Sequence, residues 1–204
     1  MPASVTDAVL ARLRRLGPGC VTALEQLSVV PTLVDFPLAD ALLGERLEEL
    51  AEAEEHGIIE TRADGLAFRH ELARRALEKT LPRLRHRALH RAVVRALRAT
   101  TSPDKERLVH HAVQADDAAT VVEFAPGAGR EARSAGSHRQ ALAQFDATLP
   151  YADRLPPVER AWLVADHSWE LYLAHRFREA VIEALEAAGR YDELARSARS
   201  AKPC

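Results

Sequence analysis

Histidines are the residues of this 204-residue chain whose type and spacing first suggest chemistry. His86 and His90 lie four positions apart, and on an α-helix this spacing places both imidazoles on one face, where their nitrogens can bind a metal ion. Neither has a cysteine or carboxylate neighbour at ligand spacing, and both border an apolar stripe of the same helix. We therefore favour packed or partly exposed histidines over a metal site. The same interpretation applies to the adjacent pair His110 and His111.

The common catalytic signatures do not occur in the sequence. It contains no G-x-x-x-x-G-K-[ST] loop to cradle phosphates, no G-x-S-x-G nucleophile turn and no H-E-x-x-H zinc motif. Gly127-Ala128-Gly129 lacks the third glycine of the dinucleotide fingerprint and follows no strand pattern. We expect a protein that is not an enzyme and that has no catalytic residues, no metal ligands and no cofactor of its own.

Five arginines form the clearest charge pattern. They recur at spacings of four, four, four and three, which places them along one face of a single helix: Arg83, Arg87, Arg91, Arg95 and Arg98. A solvated face, partly neutralised by an acidic segment before it, is the favoured interpretation of this basic stripe. Docking to another domain and nucleic-acid binding are the alternatives.

The acidic segment runs from Glu45 to Asp64 and contains eight acidic and two basic residues. Six of its glutamates fall on the helix before a predicted β-hairpin, the position from which a DNA-reading winged helix enters the major groove. Phosphate contacts supply much of the affinity for DNA and require cations, so these carboxylates would repel a duplex. We expect this element not to bind DNA.

Helix caps, stops and apolar periodicity predict the elements of the first hundred residues. Two short apolar runs around Asp64-Gly65 predict a β-hairpin, the only strands with a clear pattern. The predicted helices begin at Ser4, Pro18, Pro37, Glu45, His70 and Pro82, and the first five end near Gly17, Val29, Gly44, His56 and Thr80. Helices followed by a two-stranded hairpin are typical of a winged-helix domain, which we assign to residues 1–100 with its long connecting helix.

Residues 104–204 follow a short linker and are predicted to be helical and repetitive. Two sets of residues share spacings of four and three and lie 39 positions apart, each on the second helix of a predicted pair: Ala141, Phe145 and Thr148, then Ala180, Ala184 and Ala187. This packing is typical of tetratricopeptide-like repeats. The predicted fold class is therefore mainly α, a winged-helix domain followed by an α-solenoid of tetratricopeptide-like helical hairpins.

Two further features concern the end of this repeat array. Gly189-Arg190-Tyr191 is typical of a turn into a third, unfinished unit, so the array would lack a polar capping helix and the chain would be part of a longer protein. Trp162 and Trp169 lie seven positions apart on one face of a helix. Packing in the core between repeats is favoured over a ligand-stacking aromatic pair.

Two stretches of the sequence resemble a known family. Residues Ala67–Leu77, AFRHELARRAL, are similar to the post-wing helix of STAND-type signal-transducing ATPases, especially the MalT-like, large LuxR-family regulators of actinobacteria. The opening of the chain, from Pro2 to Leu13, resembles their entry into the winged helix. The resemblance implies an N-terminal P-loop ATPase, then the winged helix, the repeats and often a DNA-binding output domain. Neither the ATPase motifs nor an output domain is in this sequence, so ATP hydrolysis and DNA binding do not carry over.

The same resemblance implies a role for His70 and Arg69. The sequence Arg69-His70-Glu71-Leu72 lines up with the Met-His-Asp type motif of related STAND winged helices, whose histidine contacts the nucleotide β-phosphate in the inactive, ADP-bound form. Arg and Glu stand here where that motif has Met and Asp. His70, with Arg69 beside it, would thus sense nucleotide phosphate in an intact ATPase, and an ordinary N-cap or solvent-exposed histidine is the alternative.

The predicted function is a non-catalytic regulatory and protein-interaction segment of such a transcriptional regulator. Its partner would be another protein or the missing ATPase domain, and ATP or ADP would be a cofactor of the parent protein only. A self-standing repeat adaptor and nucleic-acid binding through the Arg83–Arg98 stripe are the alternatives. Because there is no signal peptide and no apolar run of about 20 residues, we expect a cytoplasmic protein without membrane contact. Surface left by missing domains predicts self-association.

Overall fold

The computed structural model describes residues 11–13, 15–101 and 104–200. These residues are mainly helical, with one small three-stranded sheet. The molecule divides into two compact units, Met1–Pro103 and Asp104–Cys204. Within the described ranges no helix combines the length and the hydropathy that a membrane span requires. The helix predicted from Ser4 lies largely outside the described residues.

The first unit alternates helices with short strands. In chain order its elements are α1 (Pro18–Ser28), β1 (Leu33–Asp35), α2 (Phe36–Leu43), a 3-10 helix (Gly44–Leu50), α3 (Ala51–Glu55), β2 (Ile59–Arg62), β3 (Gly65–Phe68), α4 (Glu71–Thr80) and α5 (Arg83–Arg98). Asp35 caps α2 by accepting a hydrogen bond from the Leu38 N–H at 2.9 Å. Most of these helices lie within a residue or two of their predicted bounds.

The sheet of the first unit has the strand order β1-β3-β2, and both pairings are antiparallel. The β2–β3 hairpin is the one predicted around Asp64-Gly65, with Gly65 as the first residue of the central strand. The sequence does not predict β1, because its three residues are too few to show an alternating pattern. Gly65 approaches β1 so closely that a Cβ there would lie 2.2 Å from the Val34 carbonyl oxygen.

The fourth predicted helix is only partly α-helical. Its first half is the 3-10 helix Gly44–Leu50, and the α-helix begins only with α3. Gly44 has a φ of +55°, which ends α2 and redirects the chain.

The second unit consists of helices in its described residues. They are α6 (Lys105–Ala115), α7 (Ala118–Ser134), α8 (His138–Thr148), a 3-10 helix (Leu149–Arg154), α9 (Pro157–Leu173) and α10 (Phe177–Ser200). The most extensive packing is that of α7 on α8 and of α9 on α10. The sequence predicts two helix pairs in this unit; in the structure the first turns at Gly136 and the second at His175.

Three tight turns join helices of this unit in the same way. Each turn has one residue with positive φ: Asp116 after α6 at 54°, Gly136 after α7 at 74° and His175 after α9 at 60°. In each turn the N–H of the following residue donates to the carbonyl oxygen five positions back, at 2.8–2.9 Å. This is the hydrogen bond of a Schellman C-cap, which satisfies helix-terminal carbonyls while reversing the chain.

The first set of predicted repeat residues is buried where α7 meets α8. All three have no exposed surface: Ala141, Phe145 and Thr148. The Phe145 ring lies against Gly129 of α7, where an added Cβ would lie 2.4 Å from the ring atom Cε1. Gly129 therefore lets the two helices approach closely, which is the packing predicted for small residues in this repeat.

The second set is only partly buried, and the predicted third turn does not form. Ala180 and Ala187 are buried, but Ala184 is exposed. The turn predicted at Gly189-Arg190-Tyr191 is wrong, because α10 runs without interruption past this position. An ion pair of 2.6 Å between Glu186 and Arg190 spans the glycine at i,i+4 spacing. Such pairs and the good helix formers around Gly189 offset the cost of one mid-helix glycine.

A buried charge cluster links α7, α8 and α9. The Glu170 side chain is fully buried, accepts a hydrogen bond from Arg133 Nε at 2.6 Å and lies 3.0 Å from His138 Nδ1. Arg133 also donates to the Asp166 carboxylate at 2.6 Å, and its guanidinium lies 5.5 Å from the Phe145 ring centroid. Burial is the largest single influence and lowers the pKa of Arg133, but hydrogen bonds to Asp166 and Glu170 outweigh it and raise that pKa.

A second polar link joins α8, α9 and α10. His167 is 3% exposed and lies between two carboxylates. Its Nε2 is 2.9 Å from Asp146 Oδ1, and its Nδ1 is 2.5 Å from Glu183 Oε2. His167 thus connects three consecutive helices of the repeat unit.

Candidate functional site

The two residues implied for nucleotide sensing lie where the hairpin passes into α4. His70 is the N-cap residue of α4 in extended backbone, with φ −131° and ψ 120°, and its side chain makes no capping hydrogen bond. Both His70 and Arg69 are exposed, and Arg69 Nε lies 3.9 Å from Glu60 Oε2. An imidazole and a guanidinium therefore stand together at a helix N-terminus, where free N–H groups favour anions.

Next to this pair, the buried Arg74 neutralises two carboxylates. Its Nε and Nη2 donate to Glu71 at 2.8 and 2.7 Å. Its Nη1 donates to Glu78 Oε2 at 2.8 Å and to the Ser28 carbonyl oxygen. The hydrogen bond from Arg74 is the main cause that lowers the pKa of Glu71 to about 2. Glu71 is therefore ionised at neutral pH, and its charge is offset by Arg74 and by Arg75, whose Nε donates to it at 2.9 Å.

The predicted basic stripe lies on one face of α5. Four of its arginines are exposed and one is half-buried: Arg83, Arg91, Arg95 and Arg98, and Arg87. Another face of α5 is buried, with Leu89, Val93 and Val94 in the core. Arg85, outside the stripe, lies with its Nε 3.8 Å from Glu25 Oε2 of α1. This exposure is what a solvated charged face, the favoured interpretation of the stripe, predicts. Which partners the stripe binds stays a prediction.

The six glutamates before the hairpin are also largely exposed. Five of them lie at the surface and one is half-buried: Glu45, Glu48, Glu49, Glu54 and Glu55, and Glu52. Glu52 accepts a hydrogen bond from the Gly17 N–H at 2.8 Å. The element in the groove-reading position of the predicted winged helix therefore presents carboxylates to solvent, which would oppose contact with phosphates.

The histidine pair on α5 has a carboxylate companion that spacing within the helix does not reveal. His86 Nε2 lies 3.2 Å from His90 Nε2 and 3.3 Å from Glu78 Oε1. The three ligand atoms all lie within 4.8 Å of one another. Glu78 belongs to the last turn of α4. The chain changes direction at Leu81-Pro82, which brings His86 of α5 next to Glu78. The sequence offers one signal for this contact: Glu78 lies about one turn before the helix end at Pro82, where the chain can change direction.

An exposed aromatic and aliphatic surface covers one side of the α9–α10 pair. Its members are 50–69% exposed: Trp162, Trp169 and Tyr172 on α9, and Phe177, Val181 and Leu185 on α10. We call these six residues the aromatic face. The rings of Trp169 and Tyr172 are stacked, with centroids 5.7 Å apart, and Tyr172 contacts Phe177 edge-on at 5.4 Å. The ring contacts make the two helices one continuous surface.

The expectation that Trp162 and Trp169 pack in a core is therefore wrong within the described residues. The side of α9 that faces α8 and α10 is filled by other residues, including Leu163, Val164 and Leu171. Both tryptophans lie on the opposite side, with half of their surface open to solvent. Large contiguous apolar patches are uncommon on the surfaces of soluble monomers, so this surface is a candidate interaction site.

Comparison with known proteins gives a similarity of fold. No protein-family model and no curated protein sequence matches the chain. A solved structure, the crystal structure of a Signal Transduction ATPase with Numerous Domains (STAND) protein with a tetratricopeptide repeat sensor from Pyrococcus horikoshii, matches with a TM-score of 0.58 and 9% sequence identity. The match covers 96% of this chain but 35% of that one, so the chain spans about a third of its structural neighbour. The likeness supports a helical fold of the kind seen in STAND proteins with repeat sensors.

Proposed function

We propose that this chain is a non-catalytic regulatory and protein-interaction segment of a STAND-type signal-transducing ATPase, within a LuxR-family transcriptional regulator. The fold likeness to a STAND protein with a repeat sensor and the resemblance of the Ala67–Leu77 sequence support the proposal. A cytoplasmic location is part of it. The single observation that carries the interaction function is the aromatic face on α9 and α10.

In this proposal the first unit is a winged helix that covers the nucleotide of the ATPase domain. The order of helices and strands, ending in the β2–β3 hairpin, supports this assignment. Duplex DNA is not its ligand, because the helix before the hairpin exposes glutamates. The exposed His70 and Arg69 would contact the phosphates of ADP, with His70 supplying a donor and Arg69 a fixed charge.

The nucleotide role is tested in the longer reading frame that the proposal requires, with a P-loop ATPase encoded in frame with residues 1–204. In that protein His70→Ala is expected to weaken ADP binding by about tenfold, the loss of one charge-assisted hydrogen bond of about 1.5 kcal/mol. Isothermal titration calorimetry measures the dissociation constant. His56→Ala is the matched control, since His56 is an exposed histidine in the same unit. Equal ADP affinity in both variants, or a reading frame without an ATPase, would contradict the proposal.

The second unit is proposed to bind an amphipathic helix of a protein partner through the aromatic face. The aromatic face has two ridges, Trp169–Tyr172 on α9 and Phe177–Val181–Leu185 on α10. Within each ridge the residues lie one helical turn apart, which suits the i, i+3, i+4 anchors of a partner helix. Trp and Tyr are the residue types that most often dominate interface energies. Arg178 and Glu179 beside the ridges supply an exposed rim of both signs.

The interaction is tested with helical peptides selected from a display library on the immobilised chain. Both tryptophans of the protein lie on the aromatic face, so intrinsic fluorescence reports contact with it directly. Binding is expected to shift the emission to shorter wavelength, and Trp169→Ser with Tyr172→Ser is expected to weaken it about 30-fold or more, as for hot-spot losses of about 2 kcal/mol. Leu84→Ser is the control, because Leu84 is equally apolar and 83% exposed on the first unit. If the selected helices bind the double variant and the control alike, the aromatic face is not the binding surface.

A further inference from the structure

The cluster of Glu78, His86 and His90 combines residue types and distances that suit a metal ion. We infer that the first unit binds one divalent transition-metal ion of the Zn²⁺ class through Glu78 Oε1, His86 Nε2 and His90 Nε2. The inference rests on the geometry of these three side chains and is independent of the proposed regulatory function.

The distances between the ligand atoms fit a small tetrahedral ion. Ligands at about 2.0–2.1 Å from a tetrahedral zinc ion lie roughly 3.3–3.4 Å from each other. The two measured edges are 3.2 Å between the histidine Nε2 atoms and 3.3 Å between His86 Nε2 and Glu78 Oε1. Each of the three residues offers one ligand atom, and these atoms all lie within 4.8 Å of one another. The imidazole planes are tilted by 55° with their centroids 4.4 Å apart, so the rings are not stacked face to face.

One ring nitrogen of His86 cannot serve both of its contacts equally well. His86 Nε2 is within hydrogen-bond distance of two atoms, but a ring nitrogen has either one hydrogen or one lone pair. If it carries the hydrogen, that hydrogen can point well at only one of Glu78 and His90. If it carries the lone pair, it can accept from His90 but then faces the lone pairs of Glu78 Oε1. A cation between the three atoms uses all three lone pairs at once.

The surroundings of the cluster hold the ligands in place. Arg74 Nη1 donates to Glu78 Oε2 at 2.8 Å, which orients the carboxylate and leaves Oε1 for the ion. The positive charge of Arg74 is offset by its hydrogen bonds to Glu71. His90 is 1% exposed, whereas the side chains of His86 and Glu78 are about one quarter exposed, which gives the ion a path from solvent. A water molecule would be the fourth ligand.

The donor set selects the class of ion. Two imidazole nitrogens and one carboxylate oxygen suit Zn²⁺, Co²⁺ or Cu²⁺, whereas Ca²⁺ and Mg²⁺ prefer oxygen ligands alone. Such an ion would join the last turn of α4 to the first half of α5 across the break at Leu81-Pro82. Because the three ligands come together only in the folded chain, binding would stabilise the first unit.

The test titrates the chelator-stripped 204-residue chain with Zn²⁺ by calorimetry and with Co²⁺ by visible absorption. One ion per chain is expected, with the d–d bands of tetrahedral Co²⁺ and no thiolate charge-transfer band. Saturating Zn²⁺ is expected to raise the melting temperature by at least about 5 °C. His86→Ala and Glu78→Gln, both at partly exposed positions, are each expected to weaken binding about 100-fold, the upper end of the 10–100-fold range seen when the hydrogen-bond partners of ligands are lost.

The matched control is His175→Ala, which removes an exposed histidine from the other unit and should leave the affinity unchanged. Circular dichroism spectra of the two site variants check that they fold, so that a loss of binding reports the ligand and not the fold. The proposal is overturned if Zn²⁺ does not bind, if both site variants bind as tightly as the original chain, or if a thiolate band places the ion on a cysteine.

Discussion

Replacing Arg133 with methionine is expected to lower the free energy of unfolding of the second unit by about 3–5 kcal/mol, the range for breaking a buried ion pair. Glu170 has no exposed side-chain surface and receives its shortest hydrogen bond from Arg133 Nε. Without Arg133 the carboxylate keeps only the His138 contact, and its charge stays buried. Methionine replaces most of the packing volume against Phe145, so the loss reports charge rather than a cavity. Urea unfolding followed by the fluorescence of Trp162 and Trp169 measures it in this unit.

A second substitution separates the buried charge from other effects of losing Arg133. In the double variant Arg133→Met with Glu170→Met, the fully buried carboxylate is gone, and only Asp166, whose side chain is 21% exposed, loses its Arg133 partner. Apolar replacement of a buried pair is often close to neutral. The double variant is therefore expected to recover at least half of the loss. A single variant that costs less than about 1 kcal/mol, or a double variant as unstable as the single one, would show that the pair is not a stabilising feature of the fold.

Gly65→Ala is expected to destabilise the first unit by about 3 kcal/mol or more. The added Cβ would lie 2.2 Å from the Val34 carbonyl oxygen and 2.8 Å from Asp35 Cα. Both atoms belong to the backbone, so no side-chain rotation relieves the clash and β1 must move away from β3. The central strand would then lose its pairing at Val34–Leu66 and Asp35–Gly65.

Hydrogen exchange of the peptides that contain β1 and β3 measures this loss, because the first unit has no tryptophan. Exchange is expected to accelerate across both strands. Gly127→Ala in α7 is the control, since an added Cβ there meets no atom within 4 Å and alanine favours helix by up to about 1 kcal/mol. If the strands exchange at the same rate in Gly65→Ala as in the original chain, the close approach of β3 to β1 does not limit stability.

Local signals predict most helices of this protein and the pairing of neighbouring helices, but not the contacts between segments far apart in the chain. Prolines at helix starts, glycines at helix ends and the Asp64-Gly65 turn all act on neighbouring residues, so the helices and the hairpin follow from them. The strand β1 depends on pairing with β3 far along the chain, and three residues carry no period. Gly189 shows the opposite failure, because a turn signal is outweighed by the helix formers around it.

The candidate site shows the same division between local and tertiary information. The spacing of His86 and His90 is visible in the sequence, but Glu78 joins them only because α5 folds back past the end of α4. The spacing of the Arg83–Arg98 stripe predicts a shared face of one helix, and four of its arginines are exposed while Arg87 is half-buried. The spacing of Trp162 and Trp169 shows that they share a face, but whether that face is covered depends on neighbouring helices that sequence periodicity does not describe.

The three turns that end α6, α7 and α9 constrain the backbone angle φ of one residue each and not the chemistry of its side chain. Each requires only a residue that tolerates the left-handed region, and Asp116, Gly136 and His175 meet that demand with unrelated chemistry. The amino-acid sequences of repeats joined by such turns can diverge while the backbone keeps the same path. A relationship among such hairpins would then show in which residues have a positive φ, even where the side chains at equivalent positions differ.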